Sequence, residues 1–295
     1  MSAKKKTSGA VGGSGRGERF VWRKLTAAKW EDVWQERLAW LGQRLVILAL
    51  AMRPTIRIEA YHLTRKEADA LIAEFGGTAR VAKPLTARDL EPKTRPPLRV
   101  RGRLLVVSTE KERALAARTH AGTPLLLIPA TVAFGTGEHA TTATCLRMLA
   151  DVAKEMRGKE WDALDLGTGS GILALAARRF GAGKVEAGDY DPTAVRVAKE
   201  NAAANGIRGI VFRRLDVLAW RAARKWPVVM ANLFSTILVK AAPQIAASVE
   251  RGGILILSGI LRVQADEVIA AFERKGCRFE RVELRGKWVT CLARR

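Results

Sequence analysis

Asp165-Leu166-Gly167-Thr168-Gly169-Ser170-Gly171 runs directly into the apolar series Ile172-Leu173-Ala174-Leu175-Ala176-Ala177. An acid, three alternate glycines and a helix-forming run are what a strand needs to bend sharply into a helix around a nucleotide-like ligand. Glycine lets the backbone turn tightly and lets a ligand approach with no Cβ in the way, and the first helical turn offers unpaired N–H groups. The spacing is D-x-G-x-G-x-G, distinct from the dinucleotide pattern G-x-G-x-x-G, and no G-K-[ST] follows, which argues against a phosphate-gripping loop. An acid ahead of the glycines suits a ligand with a cationic amino group. That points to S-adenosylmethionine rather than NAD, with Asp165, Gly167, Thr168, Gly169 and Gly171 as candidate contacts.

One helix and one strand further on, Lys184-Val185-Glu186-Ala187-Gly188-Asp189 ends in a second acid. A carboxylate at such a strand end can accept both hydroxyls of a ribose. Pro192 then opens an alanine-rich helix, Thr193 to Asn205, at a first-turn position where its missing N–H costs nothing. Asp216 follows the next strand, Ile210 to Leu215, where an adenine amino group would be read. Each acid alone could be a helix cap or a solvated charge. Three at successive strand ends, beside a glycine turn, argue together for a ligand-binding edge.

The elements that must position these residues follow from periodicity. From Pro124 onward, strands at 125–128, 161–166, 184–189, 210–215, 227–231, 253–259 and 278–284 alternate with helices, and a last strand, Trp288 to Leu292, follows without one. Such alternation predicts a mostly parallel α/β sheet covered on both faces. The final pair, joined near Gly286, reads as an antiparallel edge hairpin.

Upstream, Trp30, Trp34, Leu38, Leu41, Leu45, Leu48 and Met52 recur at spacings of three and four, the pattern of one apolar helix face ended by Arg53-Pro54. We read this stripe as core or docking surface. An alternating strand, Thr55 to Ala60, a helix from Thr64 to Phe75 stopped by Gly76-Gly77, and strands at 79–82, 98–101 and 104–108 then suggest a small α+β module. The proline-rich, basic segment Pro84 to Pro97 lies between them. The expected organisation is a disordered basic tail (1–19), an amphipathic helical segment (20–53), an α+β module with linker (54–122) and an α/β domain (123–295).

The chain has 295 residues, with 51 Lys and Arg against 29 Asp and Glu, a formal charge of +22. A chain of this length buries a full core, and an excess of that size implies an anionic partner such as RNA, a ribosomal particle or an acidic surface. Lys4, Lys5, Lys6, Arg16 and Arg19 in the Gly/Ser-rich start carry only part of it. Cys145, Cys277 and Cys291 show no C-x-x-C spacing, which points away from a zinc site or disulfide framework and toward a reducing cytoplasm. The apolar run Leu45 to Met52 is too short to span a bilayer and follows a basic amphipathic stretch, so we expect it to be neither a signal peptide nor a membrane helix.

Five segments together carry a family resemblance: Phe134-Gly135-Thr136-Gly137-Glu138-His139-Ala140-Thr141-Thr142, the Asp165 glycine turn, Gly188-Asp189-Tyr190-Asp191-Pro192, Ala231-Asn232-Leu233, and Gly252 to Ile260. In these the chain, over about residues 124 to 295, resembles the PrmA family, methyltransferases of ribosomal protein L-eleven. The resemblance implies a Rossmann-like, seven-stranded domain that binds S-adenosylmethionine and methylates lysine side-chain and N-terminal amines of that ribosomal protein. Thr142, Gly167, Asp189 and Asn232 match the family's cofactor-contacting positions. The front of the chain departs from the family, whose N-terminal substrate-recognition module is ferredoxin-like; residues 54 to 108 suggest only a rearranged version.

Methyl transfer from a sulfonium is an in-line displacement, so a neutral amine must be aligned at near-attack distance. Asn232, at a strand end, is the candidate to accept the amine hydrogens and aim the lone pair; the alternative is a turn-forming Asn that caps the next helix. Thr141 and Thr142 precede a helix and either could be its N-cap. Phe134 is a candidate cation–π neighbour or a core residue, and His139 is a secondary candidate base or a hydrogen-bonded loop residue. Two other readings remain at this stage. The charge favours an RNA methyltransferase, yet Ala231-Asn232-Leu233-Phe234 lacks the N-P-P-[YF] platform that stacks a flipped base. A catalytically silent RNA- or ribosome-binding protein would have no need for the intact glycines and acids.

Overall fold

The structure, a computed structural model, describes residues 18–49, 54–82, 96–129 and 139–295. Residues 1–17, Met52, residues 83–95 of the proline-rich segment and Phe134 to Glu138 of the glycine-rich loop lie outside the described residues. The chain divides after Glu91 into two units, Met1–Glu91 and Pro92–Arg295.

In the first unit β1 (Phe20–Ala27), α1 (Glu31–Arg37), β2 (Leu45–Ala49), β3 (Thr55–Leu63), α2 (Arg65–Phe75) and β4 (Thr78–Val81) follow one another. They build one four-stranded sheet in the order β2-β3-β1-β4, with β3 antiparallel to both β1 and β2, and β4 antiparallel to β1. This βαββαβ arrangement is the ferredoxin-like topology. It corrects two expectations. Residues 20–53 are not one amphipathic helix: helical spacing holds only around α1 and the 3-10 turns beside it, where Leu38 and Leu41 are buried. Phe20 and Trp22 alternate into the core as strand residues, and the Leu45-Val46-Ile47-Leu48 run pairs with β3. Strand pairing with a distant partner overrides a helix-like spacing in a short apolar run. The module is also complete rather than rearranged, because the two missing strands lie within residues 20–53, β1 ahead of the apolar stripe and β2 inside it.

Trp22 anchors this unit. It is fully buried and donates from Nε1 to the Gly76 carbonyl at 2.8 Å. α2 starts with a capping box, the Thr64 hydroxyl and Glu67 carboxylate each serving the other's backbone N–H.

The second unit begins with β5 (Leu98–Val100), β6 (Leu104–Val107), α3 (Glu110–Thr119) and β7 (Leu125–Leu127). β5 and β6 do not complete the N-terminal sheet; with β7 they form a separate three-stranded sheet, β6 and β7 parallel. The expected boundary near residue 122 is therefore replaced by the one after Glu91. Val100, Leu104, Val106, Leu126 and Ile128 belong to the same buried cluster as α4 and the large sheet, a union that no local pattern announces.

Then come α4 (Ala140–Glu155), β8 (Ala163–Leu166), α5 (Ile172–Arg179), β9 (Val185–Asp189), α6 (Pro192–Ala204), β10 (Ile210–Arg214), β11 (Trp226–Asn232), α7 (Ser235–Ser248), β12 (Val249–Leu261), α8 (Ala265–Glu273), β13 (Arg278–Arg285) and β14 (Trp288–Arg294). The seven strands order as β10-β9-β8-β11-β12-β14-β13. All pairs are parallel except those of β14, which runs antiparallel to both neighbours. Period-two alternation buries both faces: Val228, Met230, Ile254 and Ile256 point to the cluster holding α4 and α5, whereas Val229, Ala231, Leu255 and Leu257 point to that holding α7 and α8.

One polar tie joins α6 to the small sheet. The buried Asn205 amide donates to the carbonyls of Leu127 and Asn201 and accepts the Leu127 N–H, each at 2.8 Å. Asn205→Ala strands both backbone groups of Leu127, so we expect a stability loss of about 3 kcal/mol. Urea unfolding measures it, and a loss below about 1 kcal/mol would show water replacing the side chain.

Candidate functional site

Strand order reverses at β8, whose neighbours are β9 and β11. In an open α/β sheet the crevice beyond the strand C-termini at such a reversal is the ligand-binding position. The glycine turn lies there. The N–H groups of Gly167 and Thr168 both donate to Gly188 O, at 2.8 and 3.0 Å, which fastens the turn to the end of β9. Gly167 has φ +74°, and a Cβ built on it would overlap the Leu233 side chain, so only glycine fits.

Asp165 is fully buried beneath the turn. Its Oδ2 accepts the Thr168 hydroxyl at 2.6 Å and the Ala174 N–H at 3.2 Å, while Oδ1 is buried with no partner. Burial raises its pKa to about 7, against the lowering effect of those two hydrogen bonds. This shift carries a definite sign. Between the ordinary carboxylate value and about 7 the folded protein holds a proton that the unfolded chain has released, so stability falls as pH rises through that window and levels off above it. Asp165→Asn should remove this slope. Denaturation of both proteins from pH 4 to 8 tests it, and parallel curves would mean that Asp165 is already ionised in the fold.

Asp189 ends β9 beside the turn. Its Oδ2 accepts Gly169 N–H at 2.9 Å and its Oδ1 accepts Asp191 N–H at 3.0 Å. Each carboxylate oxygen retains lone-pair capacity for a further donor. Asp191 caps α6 by accepting Thr193 N–H, with Pro192 in the first turn as expected. Asp216 stands exposed just beyond β10, its Oδ1 accepting Leu218 N–H at 3.0 Å, and Leu215 N–H reaches Asp189 O at 2.8 Å. The acids of β9 and β10 thus end adjacent strands.

On the other side of the reversal, Asn232 ends β11. Its Nδ2 donates to Thr141 Oγ1 at 3.4 Å and its Oδ1 is buried without a partner. It caps nothing: the N-cap of α7 is Phe234, which makes no side-chain cap. Neither Thr141 nor Thr142 caps α4 either. His139 does, its Nδ1 lying 2.7 Å from Thr141 Oγ1, and its ring meets Trp288 edge-on at 5.0 Å. α4 therefore starts earlier than its apolar pattern indicates and buries both threonines, leaving Thr142 Oγ1 without a partner. Gly259, at φ +80° in the irregular stretch of β12, would drive a Cβ into the Leu233 backbone; that glycine lets Leu233 and Asn232 sit where they do.

One further residue supports the site without having been singled out in the sequence. Asn201 on α6 donates to the Ser170 carbonyl at 2.8 Å and holds the turn from above. An asparagine inside an alanine-rich helix, where it is a poor helix former, was the only signal. Cys145, fully buried on α4, has its thiol pushed up to about 12 by burial, so it stays protonated and offers no nucleophile.

The sheet order, the glycine turn at its reversal and the acids at the following strand ends define a class I methyltransferase fold. Comparison with known proteins is specific. The family described as Ribosomal protein L11 methyltransferase (PrmA) matches residues 90–295, and the chain belongs to this family. Among curated relatives with that name, the one from Allorhizobium ampelinum is 44% identical over 167 residues, 55% of this chain and 57% of its own length. The one from Pelobacter propionicus is 40% identical over 201 residues, 68% of this chain and 63% of its own. The matches thus span little more than half of each relative. A solved ribosomal protein L11 methylase from Lactobacillus delbrueckii subsp. bulgaricus superposes with a TM-score of 0.56 at 25% identity, covering 68% of this chain and 99% of that one.

Proposed function

We propose that this protein transfers methyl groups from S-adenosylmethionine to amines, lysine side-chain or N-terminal, of a ribosomal protein of the L11 type. The observation that carries the reading is the set of unpartnered buried polar atoms at the sheet reversal: Asp165 Oδ1, Thr142 Oγ1 and Asn232 Oδ1. A buried polar group without a partner costs about 1–3 kcal/mol, and a ligand with amino and carboxylate groups and a reacting amine would satisfy all three. The residues fit that ligand. Gly167, Thr168, Gly169 and Gly171 form the turn against which it packs, with Asp165 taking its amino group, Thr142 a polar end, Asp189 the ribose hydroxyls and Asp216 the adenine. When bound, S-adenosylmethionine supplies an electrophilic methyl group.

The chain's own task is then to present a neutral nitrogen. A free lysine with pKa ~10.4 is almost wholly charged at pH 7, whereas an α-amino group near ~7.8 is not. Burial beside Asn232 favours the uncharged amine, and the amide carbonyl accepts an N–H and aims the lone pair. No general base is needed at full strength, since the proton leaves before or after an attack that is mainly a matter of alignment.

The relatives are named for methylation of ribosomal protein L11, and that substrate is taken over here as part of the proposal. Contact with rRNA through the basic surface belongs to it too, supported by the formal charge of +22. So does a cytoplasmic site of action, supported by three buried, unpaired cysteines. Among the described residues no helix is long and apolar enough to cross a membrane.

The deciding experiment is transfer of labelled methyl groups into ribosomes and free ribosomal proteins, followed by separate nuclease and protease digestion. Label that survives nuclease but not protease is expected. Label released by nuclease would establish an RNA methyltransferase, and uptake of the donor without transfer to any fraction would establish a silent binding protein.

A further inference from the structure

The second unit holds a cleft of about 880 Å³ lined by Ala140, Ala143, Thr144 and Arg147, which share one face of α4. Three more arginines reach it from three other segments: Arg99 on β5, Arg101 in the β5–β6 turn and Arg285 at the end of β13. Against these four guanidinium groups the lining contains a single carboxylate, Glu112, whose Oε2 is held by the N–H groups of Ser108 and Thr109. Arg101 is paired with Asp151 at 2.9 Å, and Arg99 lies against the imidazole of His120. Arg147 and Arg285 have no ion-pair or hydrogen-bond partner among the described residues. Arg101 also holds a left-handed backbone, φ +51°, outside the region such a side chain favours.

Arg147 and Arg285 carry no counter-charge, and with Arg99 and Arg101 on the same concave surface they raise a positive potential that an anion placed between them would relieve. We propose that this cleft docks the phosphate backbone of RNA. Guanidinium forks match phosphate oxygens two by two, and four of them along one cleft engage successive phosphates rather than one small anion. The charge of the whole chain draws in the same class of partner. A lysine-rich substrate segment is excluded by like charge, so the cleft is a docking surface apart from the amine's own position. This locates the RNA contact proposed above; it is independent of methyl transfer, because it is read by binding alone.

The test is fluorescence anisotropy of a labelled RNA hairpin with the full chain, without S-adenosylmethionine, across a salt series. Arg147→Gln with Arg285→Gln should weaken binding at least about tenfold at low salt and reduce the slope of log K against log salt by about 2, since each lost phosphate contact removes about 0.9. Arg251→Gln with Lys275→Gln, exposed positions outside the cleft, should change the slope by less than half as much. Should the double variant fail to fold, Arg285→Gln alone, at an exposed residue, should lower the slope by about 1. The proposal is overturned if the control pair weakens binding equally, if the slope is unchanged, or if the hairpin does not bind. A poly-glutamate peptide binding as tightly as the RNA in a cleft-dependent manner would equally overturn it and assign the cleft to acidic protein. Failure of methyl transfer with intact cleft-dependent RNA binding would sink the enzymatic reading alone.

Discussion

Asp189→Ala is expected to weaken S-adenosylmethionine binding about 100-fold or more while leaving the protein folded. The carboxylate is offered two ribose hydroxyls, and a hydrogen bond to a charged group contributes about 1.5–3 kcal/mol; losing two corresponds to at least about two decades of affinity. The structural cost is smaller, because what the fold itself draws from Asp189 is acceptance of Gly169 and Asp191 N–H groups at the edge of the turn, where water can replace it. Titration calorimetry with the donor, beside thermal unfolding of the variant, separates the two. Affinity within a few-fold of the parent protein would remove Asp189 from the ribose and, with it, the orientation of ligand across the reversal.

Asn232→Ala should act on turnover instead. Its Oδ1 is buried without a partner and its Nδ2 makes one long contact to Thr141, so little of the fold depends on the amide. If that oxygen aligns the acceptor amine, its loss should lower kcat about 100-fold, a magnitude seen when a single positioned polar group is removed from a reacting centre, with donor affinity changed only a few-fold. Asn232→Asp supplies a second readout. A carboxylate favours the ammonium form of the amine, so the rising limb of the pH–rate profile should move to higher pH. Equal losses in turnover and donor affinity, with an unmoved pH profile, would reduce Asn232 to a binding contact.

The parts of this site that could be read from the chain are those with a local cause. The Asp165 turn, the acid at Asp189 and Pro192 opening α6 depend on the conformations permitted to glycine and proline and on the alternation of apolar residues, all expressed within a few positions. What escaped reading depends on partners far away. β1 and β2 become strands because β3 pairs with both. Asn205 is held by Leu127, and Asn201 by Ser170, across long stretches of chain. Thr141 and Thr142 look like caps until the helix is seen to begin at Ala140, with His139 taking the cap.

Sequence alone therefore determined the order of strands and helices in the second unit, the glycine bend and the chemical types at each strand end, since steric limits and periodicity act through neighbouring residues. Tertiary structure decided the ferredoxin-like pairing in the first unit, the transfer of β5 and β6 to the second, the polar atoms left unpartnered at the reversal and the meeting of four arginines in one cleft. Those features arise from contacts between residues remote in the chain, and the free energy of such contacts exists only once folding has brought the partners together.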